Sequence, residues 1–148
     1  MSKNQKTRNN IKKAFLDLIK DEDFESINTK DIMDIAGGAR SNFYNYFSDK
    51  FELCKAIMQD ELKQMERLIN AFFRERNNDL SPENIYALNL SRFQRVYENR
   101  DLYKALFSAE CFRDFPEMLR RSQNRITEYT ENLTIKDLFV RRHRRQVF

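Results

Sequence analysis

The chain has 148 residues, 41% of them hydrophobic and 34% charged, and a formal net charge of +4. That length can bury a core without disulfides or metal, and no apolar run reaches the roughly 18 residues of a membrane span. Two glycines and two prolines leave little room for hairpins, so an all-α fold is expected. With no signal-peptide core after Met1, the chain is read as cytoplasmic, with no membrane partner.

The positive charge does not locate a partner. Residues 1–60 carry ten basic and ten acidic side chains, and the later surplus is matched by Arg141, Arg142, Arg144 and Arg145 alone. Any nucleic-acid surface has to be argued from where particular residues point.

In chain order, Ile11, Ala14, Phe15, Leu18 and Ile19 mark a first helix over about 6–20. A second starts after Asn28, a good N-cap, with Asp31 in its first turn. It points Ile32, Ile35 and Ala36 inward and stops at Gly37. A tight turn, Gly37 to Ala39, leads to a short third helix, Arg40 to Tyr46. Ser48 and Asp49 can cap a long fourth helix from Lys50 to Arg76. Its inward stripe runs through Leu53, Cys54, Ile57, Met58, Leu62, Met65, Leu68, Ile69, Phe72 and Phe73. Ser81–Pro82 opens a fifth, with Ile85, Leu88, Phe93 and Val96 inward. A sixth covers about 101–107 and a seventh about 116–133; the last dozen residues are expected to be disordered. Cys54 and Cys111 both fall on apolar stripes, predicting two buried thiols rather than a disulfide or metal site.

Lys30–Phe47 is a helix-turn-helix candidate. At about 100° per residue, Phe43 and Phe47 share one face while Ser41 and Asn45 lie opposite. Asn42 and Tyr44 flank the outward face, Arg40 opens the helix and Lys50 opens the next. The outward set holds no carboxylate, as expected where phosphates approach. Asn42 and Asn45 can bond adenine edges and Arg40 can reach guanine; Tyr44, Tyr46 and Lys50 are better placed for phosphates. The alternative from residues alone is a solvated capping helix in a protein-interaction module.

The stretch Thr7–Ile57 contains TR, AF, INTKDI, AG, FYNYF and SDK in order, and it resembles the N-terminal head of TetR-family transcriptional regulators. ENRDLYKAL, Glu98–Leu106, is similar to the second half of several of them. The resemblance implies a DNA-binding head over 1–47 and a helical regulatory and dimerisation body over 48–148. It implies base-edge contacts for Arg40, Ser41, Asn42 and Asn45, and phosphate contacts for Thr29, Lys30, Tyr44, Tyr46 and Lys50. The implied partners are a double-stranded operator, a second copy of the chain, and a small-molecule or protein effector. The expected function is repression by occluding a promoter. The alternatives are a module with a vestigial helix-turn-helix and a co-activator working through a protein partner.

Two departures from the family pattern stand out. Gly38 and Ala39 replace a branched apolar residue and a hydroxyl N-cap, so Val–Ser at these positions is predicted to raise stability and tighten DNA binding. The chain also stops soon after the seventh helix, where the family adds two dimerising helices, so either helices four to seven supply another dimer interface or the chain is a truncated form. Phe72, Phe93, Tyr97 and Phe107 read first as core, and the resemblance makes them candidates for an effector pocket. His143 stands among arginines without clustered ligands or an orienting partner. No phosphate loop, HExxH or nucleophile elbow is present, so neither an enzyme, a cofactor nor a metal is expected.

Overall fold

Ser2, Asn28 and Asp49 each cap a helix with a side-chain oxygen, and these caps set the architecture of the N-terminal half. The computed structural model describes residues 2–122. The end of the seventh helix, His143 and the arginine-rich tail lie outside the described residues. Six α-helices follow one another: α1 (Lys3–Leu18), α2 (Thr29–Ala36), α3 (Arg40–Phe43), α4 (Lys50–Glu75), α5 (Pro82–Glu98) and α6 (Arg100–Ser108). A 3₁₀ turn (Glu110–Phe112) leads to α7, helical over residues 115–122. There is no strand among the described residues, so the fold is all-α as expected.

Helix α1 begins at Lys3 rather than Lys6 because Ser2 Oγ accepts from the Gln5 N–H at 3.3 Å. It buries Ile11, Ala14 and Phe15 completely. Lys12 snorkels beside them and pairs with Asp60 of α4. Along α2 the inward residues are Ile32 and Met33 (0% and 2% exposed), with Ala36 half-buried; Ile35, expected inward, is 54% exposed. Ile32, Met33 and Ala36 span one helical face, and Ile35 lies beyond its edge at about 100° per residue.

Phe15 meets Phe24 and Phe112 edge-to-face at centroid separations of 6.2 Å, so the core of the first three helices continues without a break into the 3₁₀ turn. Cys54 is buried and Cys111 half-buried beside it; both are free thiols, and a hydrogen bond between them together with burial pushes the Cys54 thiol up.

Beyond the head, a carboxylate sits inside the apolar stripe of α4. Glu61 is 5% exposed. Arg95 of α5 donates to it through both Nε (2.9 Å) and Nη2 (2.7 Å), and the Tyr103 phenol of α6 donates to Oε1 at 2.5 Å. The bidentate fork satisfies a charge that would otherwise be costly to bury, and it fixes three helices to one point. Burial, then the hydrogen bond to Glu61, raises the Tyr103 pKa.

Helix α5 buries only Leu88. Phe93, expected inward, is 72% exposed, as are Tyr86 and Tyr97, with Leu90 at 57%. The expected cap of α5 also differs: Ser81 Oγ donates to Asp79 at 3.2 Å and does not cap the helix, whose first position is Pro82.

Candidate nucleic-acid interface

The helix-turn-helix is built on two local signals. Asn28 Oδ1 accepts from the N–H groups of Lys30 (2.9 Å) and Asp31 (3.1 Å), while Asp31 returns a bond from the Asn28 N–H at 3.1 Å. This capping box leaves the N-terminus of α2 satisfied and fixed in direction. At its other end Gly37 takes the left-handed conformation (φ 83°) and bonds back to Met33.

Gly38 then passes close to the core. A Cβ there would lie 2.8 Å from the Met33 methyl, which is itself buried, so the valine of the predicted Val–Ser replacement has no room without moving Met33. Ala39 has extended geometry (φ −73°, ψ 149°) but no side-chain cap, so the missing hydroxyl is real.

Helix α3 is shorter than expected. Its α-helical bonding covers Arg40–Phe43, and residues 44–46 continue as tight turns, with Asn45 bonded to Asn42 (3.3 Å) and Tyr46 to Phe43 (2.9 Å). Without an N-cap hydroxyl a four-residue helix gains little from its ends; tertiary packing holds it. Phe43 is 0% and Phe47 1% exposed, with ring centroids 5.8 Å apart. Arg40, Ser41, Asn42, Tyr44 and Asn45 are all exposed.

Three of the predicted contact residues are knit together across the turn. Arg40 Nε donates to Thr29 Oγ1 at 3.2 Å, and Thr29 Oγ1 lies 3.5 Å from Tyr44 Oη. The bond with Thr29, then that with Arg40, lowers the Tyr44 pKa. A shallow depression of about 350 Å³ brings Thr29, Arg40, Tyr44 and Lys50 to one place. Lys30 stands nearby, exposed, 3.6 Å from Asp34.

Two further predicted residues, Tyr46 and Lys50, also bond to the protein itself. Lys50 Nζ donates to the carbonyls of Phe24 (2.8 Å) and Ile27 (2.5 Å) and lies 4.5 Å from the Phe24 ring centroid. Tyr46 is half-buried, and its phenol donates to Asn4 at 3.4 Å. Sequence reasoning passed over Arg8, which donates to the Tyr46 carbonyl at 3.2 Å and covers the Phe47 ring at 4.5 Å. It clamps the end of the α3 segment onto α1. Its place in the TR dipeptide was the available signal.

None of the four aromatic effector candidates lines the depression beside α3 or the groove along α4. Phe72 is buried beneath the Arg76 guanidinium, 3.7 Å from its ring centroid, while Phe93, Tyr97 and Phe107 are exposed. A separate groove of about 730 Å³ runs along α4, lined by Leu62, Met65, Ile69, Phe73 and Leu80 with Lys63 and Glu66 at its rim.

Comparison with known proteins bears on this geometry. Over 65 residues the chain is 35% identical to the HTH-type dhaKLM operon transcriptional activator DhaS of Lactococcus lactis subsp. lactis (strain IL1403). The chain is similar to a helix-turn-helix transcription regulator. The match takes in 44% of this chain and spans about a third (35%) of the relative's own length. No family model and no solved structure matches. Among the described residues no helix is long and apolar enough to cross a membrane.

Proposed function

We propose that this chain is a sequence-specific DNA-binding transcription regulator of the TetR type, cytoplasmic and without enzymatic activity, that lays the Arg40–Asn45 segment in a major groove. One observation carries the reading. A segment anchored by two fully buried phenylalanines turns only basic, amide, hydroxyl and phenol groups outward, in a chain where a third of residues are charged.

Asn42 and Asn45 suit adenine edges and Arg40 suits guanine; the side chains of Thr29, Lys30 and Tyr44 suit phosphates. A homodimer would set two such segments about 34–36 Å apart on successive grooves. In the TetR-type reading the groove along α4 takes an effector, and occupancy of a promoter represses it. A second reading, activation, is favoured by the name of the relative, a transcriptional activator.

The test is selection of a duplex from a random library, followed by fluorescence anisotropy at two salt concentrations. Asn45→Ala should change which sequence is preferred, and Tyr44→Phe should weaken all sequences alike. Binding of no duplex, or variants indistinguishable from the parent, would sink the proposal. A promoter–reporter fusion separates repression from activation by the sign of the response.

A further inference from the structure

Four of the eight exposed large hydrophobic side chains among the described residues lie on one helix. Tyr86, Leu90, Phe93 and Tyr97 line the outer face of α5, between 57% and 72% exposed. Scattered apolar residues on a surface need no explanation, but a continuous stripe does. With Glu83 before it and Arg100 after it, the stripe is spaced 3-4-3-4-3, the seam of a helix that packs on another helix. Arg100 is the first residue of α6, yet its guanidinium lies 5.8 Å from the Tyr97 ring centroid, so it belongs to the stripe's end.

We propose that this face is where a second copy of the chain docks, with the two α5 helices antiparallel about a two-fold axis between Leu90 and Phe93. The spacing itself argues for that occupant, because 3-4-3-4-3 reads the same in both directions. Reversing a copy therefore sets Leu90 against Phe93 and Tyr86 against Tyr97, each contact made twice, as an isologous interface requires. The same register sets Glu83 against Arg100 at both ends, so the charges of two copies are complementary where a parallel pairing would oppose like charges. Three aromatic rings and a leucine, at roughly 150 Å² each when covered, supply most of the about 800 Å² per partner that a standard interface buries. Opposite that face α5 is held to its own chain by Arg95 on Glu61, which leaves the seam free to face outward. The surface does not depend on the DNA-binding reading.

Sedimentation equilibrium on the full chain tests it. The parent should self-associate, and Phe93→Glu should raise the dissociation constant at least about tenfold while the far-UV spectrum stays helical. Should that variant lose its helical spectrum, Tyr86→Glu replaces it with the same expectation. Glu83→Arg and Arg100→Glu should each weaken association, and the two together should restore it. A parent that stays monomeric, a dimer unmoved by Phe93→Glu, or a double reversal that fails to restore association would each overturn the proposal.

Discussion

The α1–α3 region and the α4–α6 layer solve the same problem in opposite ways. Around α2 and α3 the phenylalanines are inside and the amides, hydroxyls and phenols are outside. In the later layer a carboxylate is inside, held by Arg95 and Tyr103, while four large apolar side chains of α5 are outside. The first arrangement buries its aromatic side chains in a core shared with the rest of the chain and leaves a polar outer surface. The second is that of a unit whose apolar burial is unfinished, which is why its outer face invites another helix rather than a nucleic acid.

Breaking the inner anchor on each side should produce the largest effects. Phe43→Ala removes a fully buried ring beneath the candidate interface and should cost about 3–5 kcal/mol, read by urea denaturation. Arg95→Ala strands the Glu61 carboxylate and should cost about 3 kcal/mol, the lower end for a broken buried pair, because the Arg95 side chain keeps 24% of its surface in solvent. Replacing the whole cluster, Glu61→Leu with Arg95→Met and Tyr103→Phe, should recover most of that loss; a triple variant as weak as the single would mean the buried polar cluster itself is strongly favourable.

Smaller changes sharpen the contrast at the turn. Ala39→Ser supplies the absent cap of α3 and should stabilise by about 1 kcal/mol. Gly38→Val requires the Met33 methyl, the flexible end of that side chain, to shift, so its effect on the melting temperature should be smaller than that of Ala39→Ser. The smallest effect belongs to pH. The Tyr103 phenol ionises above its ordinary value of 10.0 in the folded chain and at about that value when unfolded. The unfolded state therefore releases a proton that the native state keeps, and stability falls as pH rises past 10.0. Tyr103→Phe should flatten that part of the alkaline fall; an unchanged profile would mean that other groups produce it.

Sequence reached what is local. Asn28 with Asp31, Gly37, and the four-residue step from Phe43 to Phe47 are signals written within a few positions, and the structure uses all of them. It did not reach which flank of an apolar stripe meets the core, because that depends on neighbours: Ile35 and Phe93 fall on the inward side of the periodic pattern, and both are exposed. Glu61 was invisible for the same reason, since its partners lie 34 and 42 positions away. Lys50 opens α4 as its position after Ser48 and Asp49 predicts, but nothing near it in sequence announces that its ammonium is taken up by carbonyls of the segment before α2.

That lysine gives α4 a mechanical meaning. At 26 residues the helix is a rod about 39 Å long. Its fulcrum is Glu61, pinned to two other helices, and its short arm ends at Lys50, which grips the segment leading to α2. A tilt of about 5° about that fulcrum carries the gripping end through roughly 1.4 Å, so leverage rather than contact would let the far arm address the candidate interface.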